Sequence, residues 1–220
     1  MQRAVVSRLG LLESAIAAAV GRPDASVDWR APLPPNFSEP RDGRVFELLK
    51  VGPTRRSLAD FWPRRGAVWD GVAVVDDQYV LLEAKAHIPE LISGPSKAAG
   101  DSLTKIEASL ERTRKALAPR SRGEWAQSPF FQYANRLAFL QFLREDNEIP
   151  AHLVFVYFTN DSNMKGPESE AEWRGALRLM DASLGIGEHR LCDYVHKLFV
   201  DVRSFDVADI EPCAAAEPGR

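Results

Sequence analysis

The chain has 220 residues, of which 45% are hydrophobic and 27% charged, with a net charge of −3. This is a globular composition with enough apolar material for a sizeable core, and the small negative charge argues against a polyanion binder that works by overall field. Two cysteines, Cys192 and Cys213, lie outside any CxxC, and there are only four histidines, so a zinc cluster or disulfide framework is not expected and the setting reads as reduced and cytoplasmic.

The N-terminal stretch MQRAVVSRLGLLESAIAAAV mimics a signal peptide, but Arg8 and Glu13 interrupt its apolar run. Val5, Leu9, Leu12, Ile16 and Ala19 recur at helical spacing, which predicts an amphipathic helix over 4–20 ended by Gly21 and Pro23. Residues 22–43 hold five prolines and read as an extended arm. VFELLKV (45–51) suits a helix or a strand, and SLADFWP (57–63) suits one helical turn.

Two β-rich runs follow, 67–75 and 78–84, separated by Asp76-Asp77, which predicts a hairpin. Amphipathic spacing of Leu103, Ile106, Leu110 and Leu117 predicts a helix over 97–117. A helix over 130–145 is apolar almost all round and should be buried. LVFVYF (153–158) is the continuous apolar strand expected in a sheet covered on both faces. A helix over 170–180 and a strand over 194–202 complete one domain, 1–206, and residues 207–220 read as a flexible tail. The order predicts an α/β fold, a mixed sheet flanked by helices. No apolar run approaches the roughly 18 residues of a membrane span.

The hairpin carries three charges in apolar company: Asp70, Glu83 and Lys85 in WDGVAVVDDQYVLLEAKAH. Residues two apart on a strand share a face, so Glu83 and Lys85 point one way and Ala84 the other. A two-residue loop at Asp76-Asp77 places Asp70 opposite Glu83, with Cβ atoms about 4.5–5.5 Å apart. A three-residue loop places Asp70 opposite Ala84 instead. Two facing carboxylates repel, and a shared proton, the lysine or a divalent cation must offset that. Magnesium, with its oxygen ligands and retained waters, suits such a half-open pair.

Asp70, a gap of twelve residues, then Glu83-Ala84-Lys85 at the end of an apolar strand resembles the PD-(D/E)XK nuclease superfamily. The wider stretch FWPRRGAVWDGVAVV…VLLEAKAHIPE is similar to an uncharacterised bacterial branch of it, as are YANRLAFLQFL and LVFVYFTND. Trp69 stands where the family name has proline. The resemblance implies a restriction endonuclease-like core and hydrolysis of nucleic-acid phosphodiesters, DNA before RNA. It implies Mg²⁺, with Mn²⁺ as a substitute, held by Asp70, Glu83 and the Ala84 carbonyl. Lys85 would be the catalytic lysine. A further acid from the first helix would be Glu13 or Glu47. A homodimer is compatible with the resemblance, since many such nucleases cut two strands. A catalytically inactive version of the fold, binding nucleic acid or another protein, is the alternative.

Other residues could serve the same cleft. Gln132, Asn135 and Arg136 form a polar stripe on the buried helix and need partners. His87 follows Lys85 at the strand end as an accessory group. Arg55, Arg56, Arg64 and Arg65, in a basic stretch with Arg41, Arg44 and Lys50, are candidates for phosphate-backbone contact, with a solvated loop as the equal alternative. Trp62 and Trp69 read as core.

Overall fold

The computed structural model describes residues 10–204. Its centre is the predicted hairpin. Strand β2 (Gly71–Val75) runs antiparallel to β3 (Gln78–Lys85), with Val75 opposite Gln78 and Gly71 opposite Leu82. The loop is therefore the two-residue Asp76-Asp77, and Asp76 takes a left-handed φ of 52°.

The sheet has five strands in the order β1-β2-β3-β4-β5. Strand β1 (Val27–Ala31) pairs antiparallel with β2. Strands β4 (Ala151–Thr159) and β5 (Val195–Asp201) add in parallel beyond β3. Every residue of β4 is buried, as the apolar run Leu153 to Phe158 requires of a strand covered on both faces.

Six helices flank this mixed α/β sheet among the described residues: α1 (Gly10–Ala19), α2 (Asp42–Leu49), α3 (Leu58–Phe61), α4 (Gly100–Leu117), α5 (Phe131–Gln141) and α6 (Glu170–Leu184). Alternation along the strands divides the core in two. Val80, Leu82, Val154 and Val156 pack with Leu12 and Ile16 of α1. Val72, Leu81, Phe155 and Tyr157 face the other way, into a larger core with α2 and α4 to α6. In α6 the buried Trp173, Leu177, Met180 and Leu184 form one helical stripe, opened by a Ser169–Glu172 capping box. Helix α5 is buried from Tyr133 to Gln141, and one π-helical turn, Phe142–Asp146, continues it.

Several elements depart from expectation. The arm over 22–43 contains β1, whose Val27-Asp28-Trp29 segment completes the sheet beside β2. The ambiguous 45–51 segment is mostly helix, because Asp42, Val45, Phe46 and Leu49 bury one face. The run 67–75 is strand only from Gly71. Upstream, Val68 makes an isolated antiparallel bridge with Arg41, and Trp69 N–H donates to the Pro40 carbonyl at 2.9 Å. No helix among the described residues is long and apolar enough to cross a membrane. Residues 4–9 of the predicted first helix and the tail over 207–220 lie outside the described residues.

The hairpin register hangs on a two-residue loop with a non-glycine residue in the left-handed region. Asp76→Gly should therefore raise stability by about 0.5–1 kcal/mol, and Asp76→Val should lower it by about 1–2 kcal/mol. Denaturant midpoints of the two variants check this, with the slope unchanged.

Candidate active site

The ladder of β2 and β3 carries the first two charged residues together. Gly71 pairs with Leu82, so the next position along the hairpin sets Asp70 against Glu83. Asp70 lies one residue before β2 and turns to the ladder's open end, where its Oδ2 accepts the Ala84 N–H at 2.7 Å. Glu83 and Lys85 share the face of Leu81, on the α5 side, while Ala84 packs on the α1 side. The two-residue loop thus selects the register in which the acids converge.

Glu83 is only 2% exposed. Its Oε2 accepts two bonds from Arg136 of α5, from Nε at 2.8 Å and Nη2 at 2.6 Å. Its Oε1 takes the Lys85 ammonium. Arg136 is equally buried, donates to Asn135 Oδ1 at 2.8 Å and to the Val68 carbonyl at 2.6 Å, and lies 4.4 Å from the centre of the Trp69 ring. These contacts reach strand β3, the hairpin approach and its own helix, so one guanidinium fixes strand, loop and helix to each other.

The loop before Asp70 is held from a second side. Buried Asp42 accepts the Trp69 indole N–H at 3.0 Å and the Ala67 N–H at 3.0 Å. Burial pushes the Asp42 carboxyl up to about 6, against the Trp69 hydrogen bond and the Arg136 charge that oppose the rise. Only glycine fits at position 66, since a Cβ there would sit 1.6 Å from Asp42 Oδ2.

Asp70 is also raised, to about 6. Burial is the main cause and repulsion from Glu83 the next; the Ala84 N–H and the Lys85 charge work the other way, and Glu39 adds a smaller repulsion. Glu39 was not among the sequence candidates. The antiparallel bridge of Arg41 with Val68, extended two residues, sets Glu39 beside Asp70. Glu39 and Glu83, from two other chain segments, thus both act on Asp70 electrostatically. No local signal in the proline-rich arm marks Glu39, because the bridge joins segments far apart in sequence.

The other predicted residues divide clearly. Gln132 lines a cavity of about 10 Å³ together with Glu83, Lys85, Leu91, Tyr157 and Met180. That is room for roughly one water. His87 lies past the strand end, its Nδ1 2.9 Å from Glu90 Oε1, while Glu90 Oε2 accepts the Ala86 N–H. Glu13 does not join the site: α1 covers the opposite sheet face, and Glu13 accepts the Trp29 indole N–H at 2.9 Å. Glu47 does not join it either, being exposed on α2 and paired with Arg44.

In the basic stretch, Arg56 is tied to buried Asp146 at 2.7 Å and Arg55 to Glu148. Arg64 and Arg65 are exposed and make no ion pair among the described residues. Trp62 and Trp69 are core, as expected.

Among the described residues no three His, Cys, Asp or Glu side chains stand together as a ready metal cage. The donor set nonetheless fits a hard divalent cation. Asp70 Oδ1 makes no hydrogen bond among the described residues, and the adjoining Glu83 repels Asp70 in a way that a cation would relieve. Engaging Glu83 would require its Oε1 to leave Lys85, while Arg136 keeps Oε2. No protein-family model matches the chain, and no curated protein or solved structure matches it significantly.

The raised carboxyl of Asp70 has a signed consequence. Its folded value lies above the ordinary 3.8, so its contribution to stability is complete below about pH 4 and is lost as pH rises through about 6. Asp70→Asn keeps an acceptor for the Ala84 N–H and removes the charge. It should be more stable than the parent at pH 8 by about 1–2 kcal/mol, after allowance for partial exposure, and show no such gain at pH 4. Chemical denaturation at the two pH values measures the difference.

Proposed function

We propose that the chain is a magnesium-dependent hydrolase of nucleic-acid phosphodiester bonds with a restriction endonuclease-like, PD-(D/E)XK architecture, acting on DNA before RNA and accepting manganese. The observation that carries this reading is the hairpin register. It sets Asp70 against Glu83 and leaves Lys85 one step along the same face, in a strand otherwise apolar. Charges there cost several kcal/mol to desolvate, which a purely structural hairpin would avoid.

Each residue then has a task. Asp70 and Glu83 would hold the cation, with the Ala84 carbonyl as the third protein ligand. The bound ion supplies an activated water and neutralises charge on the phosphoryl group. Lys85 presents an ammonium beside the same centre, where it stabilises developing negative charge and orients the scissile phosphate. Arg136 holds the Glu83 carboxylate in one orientation, so little reorganisation accompanies the reaction. Arg64 and Arg65, exposed a few residues before Asp70, supply local positive charge for the phosphate backbone that the net charge does not.

One observation favours a second reading. Both Glu83 oxygens are already satisfied by Arg136 and Lys85. A chain that kept the fold and lost the chemistry would look like this, and would bind nucleic acid or a protein without cutting.

Incubation of end-labelled single- and double-stranded DNA and RNA with Mg²⁺, Mn²⁺ or EDTA separates the two. Catalysis predicts metal-dependent cleavage that EDTA abolishes and that Lys85→Ala slows by about 100-fold or more. Equal rates in the parent and Lys85→Ala, or retention without cleavage in any metal, would sink it.

A further inference from the structure

Tyr157 is an anomaly behind the site. It is wholly buried, yet its hydroxyl makes no hydrogen bond among the described residues. A buried hydroxyl without a partner is destabilising, and phenylalanine would fill the same space without that cost. The ring cannot swing its hydroxyl elsewhere. It packs against Trp173 at 4.9 Å and Phe199 at 5.6 Å between ring centres, and against Phe155 on its own strand.

Its place in the sheet gives the hydroxyl a neighbour. In the parallel ladder of β3 and β4, Tyr157 is the partner of Lys85, and adjacent partners share a face. Tyr157 and Lys85 line the same cavity with Glu83. The Lys85 ammonium is spent on Glu83 as the structure stands. It is also only 12% exposed, so an ammonium leaving Glu83 would need an acceptor inside the protein. Leu91, Phe155 and Met180, which also line the cavity, offer none; Gln132 and Tyr133 carry acceptor oxygens on α5, but among the lining residues Tyr157 alone combines a buried, unbonded oxygen with a place beside Lys85 in the ladder. Tyr157 offers a fixed oxygen one strand away, and the lysine has the flexible stem needed to reach it.

We infer that Tyr157 is a positioning residue, the second station of Lys85, whose hydroxyl oxygen accepts the ammonium when a divalent cation engages Glu83. This rests on the metal site proposed above. A cation on Glu83 Oε1 repels the ammonium already there, so cation binding and the movement of Lys85 are coupled. The Tyr157 oxygen, unbonded among the described residues, is thus the place prepared for the displaced lysine. Tyr157 acts through Lys85 and does not itself touch the phosphate.

Calorimetric titration of the full chain with Mn²⁺, for the parent and Tyr157→Phe, tests this, alongside denaturation of both without metal. The expected result is Tyr157→Phe as stable as the parent or more so without metal, and Mn²⁺ affinity lowered about tenfold, the size of effect typical of groups supporting metal ligands. Equal Mn²⁺ affinity in the two proteins overturns the inference and leaves the metal site standing. Lower stability of Tyr157→Phe without metal also overturns it, since the hydroxyl would then already have a partner. No Mn²⁺ binding by the parent removes the metal site, and this inference with it.

Discussion

The ion pair between Glu83 and Arg136 is the contact around which the molecule is arranged. Both groups are 2% exposed, and each would be costly to bury alone. Their pairing, completed by Lys85, Asn135 and the Val68 carbonyl, is what allows charge to exist at the end of a central strand. The same pair joins β3 to α5 across the larger core and anchors the loop that delivers Asp70. Buried ion pairs are seldom better for stability than apolar side chains of the same size. A chain that needed only to join a strand to a helix would be served by leucine and phenylalanine, so the pair is better accounted for by what it holds in place.

What it holds is a carboxylate in a fixed orientation next to a second, less secure one. Asp70 is repelled by Glu83 and Glu39 and stays in position through a single backbone hydrogen bond. The Asp42–Trp69 contact and the obligatory glycine at 66 brace the approach to it. One side of the site is thus rigid and neutralised, and the other carries negative charge that the Ala84 N–H and the Lys85 charge offset only in part. That asymmetry is the arrangement expected of a cation site assembled on a rigid hairpin and helix, where part of the binding energy comes from repulsion already present in the protein.

Much of this was legible in the sequence, for identifiable reasons. The charged residues of the hairpin stood out because they broke apolar runs, and strand alternation sufficed to group Glu83 with Lys85. The loop length was left open between two registers, because Asp-Asp is a poor two-residue turn; the left-handed Asp76 accommodates it. Arg136 was visible as a polar residue on an apolar helix, but its partner was not, since 53 residues separate it from Glu83. Strand β1 was hidden by the prolines around it. Glu39 was invisible for a related reason, because a single bridge between Arg41 and Val68 brings it to Asp70. Glu13 misses the site because helix assignment alone does not say which sheet face a helix covers, and Glu47 because it lies on the exposed face of α2.

The account stands or falls on whether the acids of the hairpin hold a divalent cation. Crystals soaked in Mn²⁺ and measured for anomalous scattering address that most directly. The account predicts a peak within coordination distance of both Asp70 and Glu83, with Lys85 moved off Glu83 and Arg136 still bonded to it. No peak at the hairpin, with Lys85 and Arg136 both still on Glu83, would contradict it.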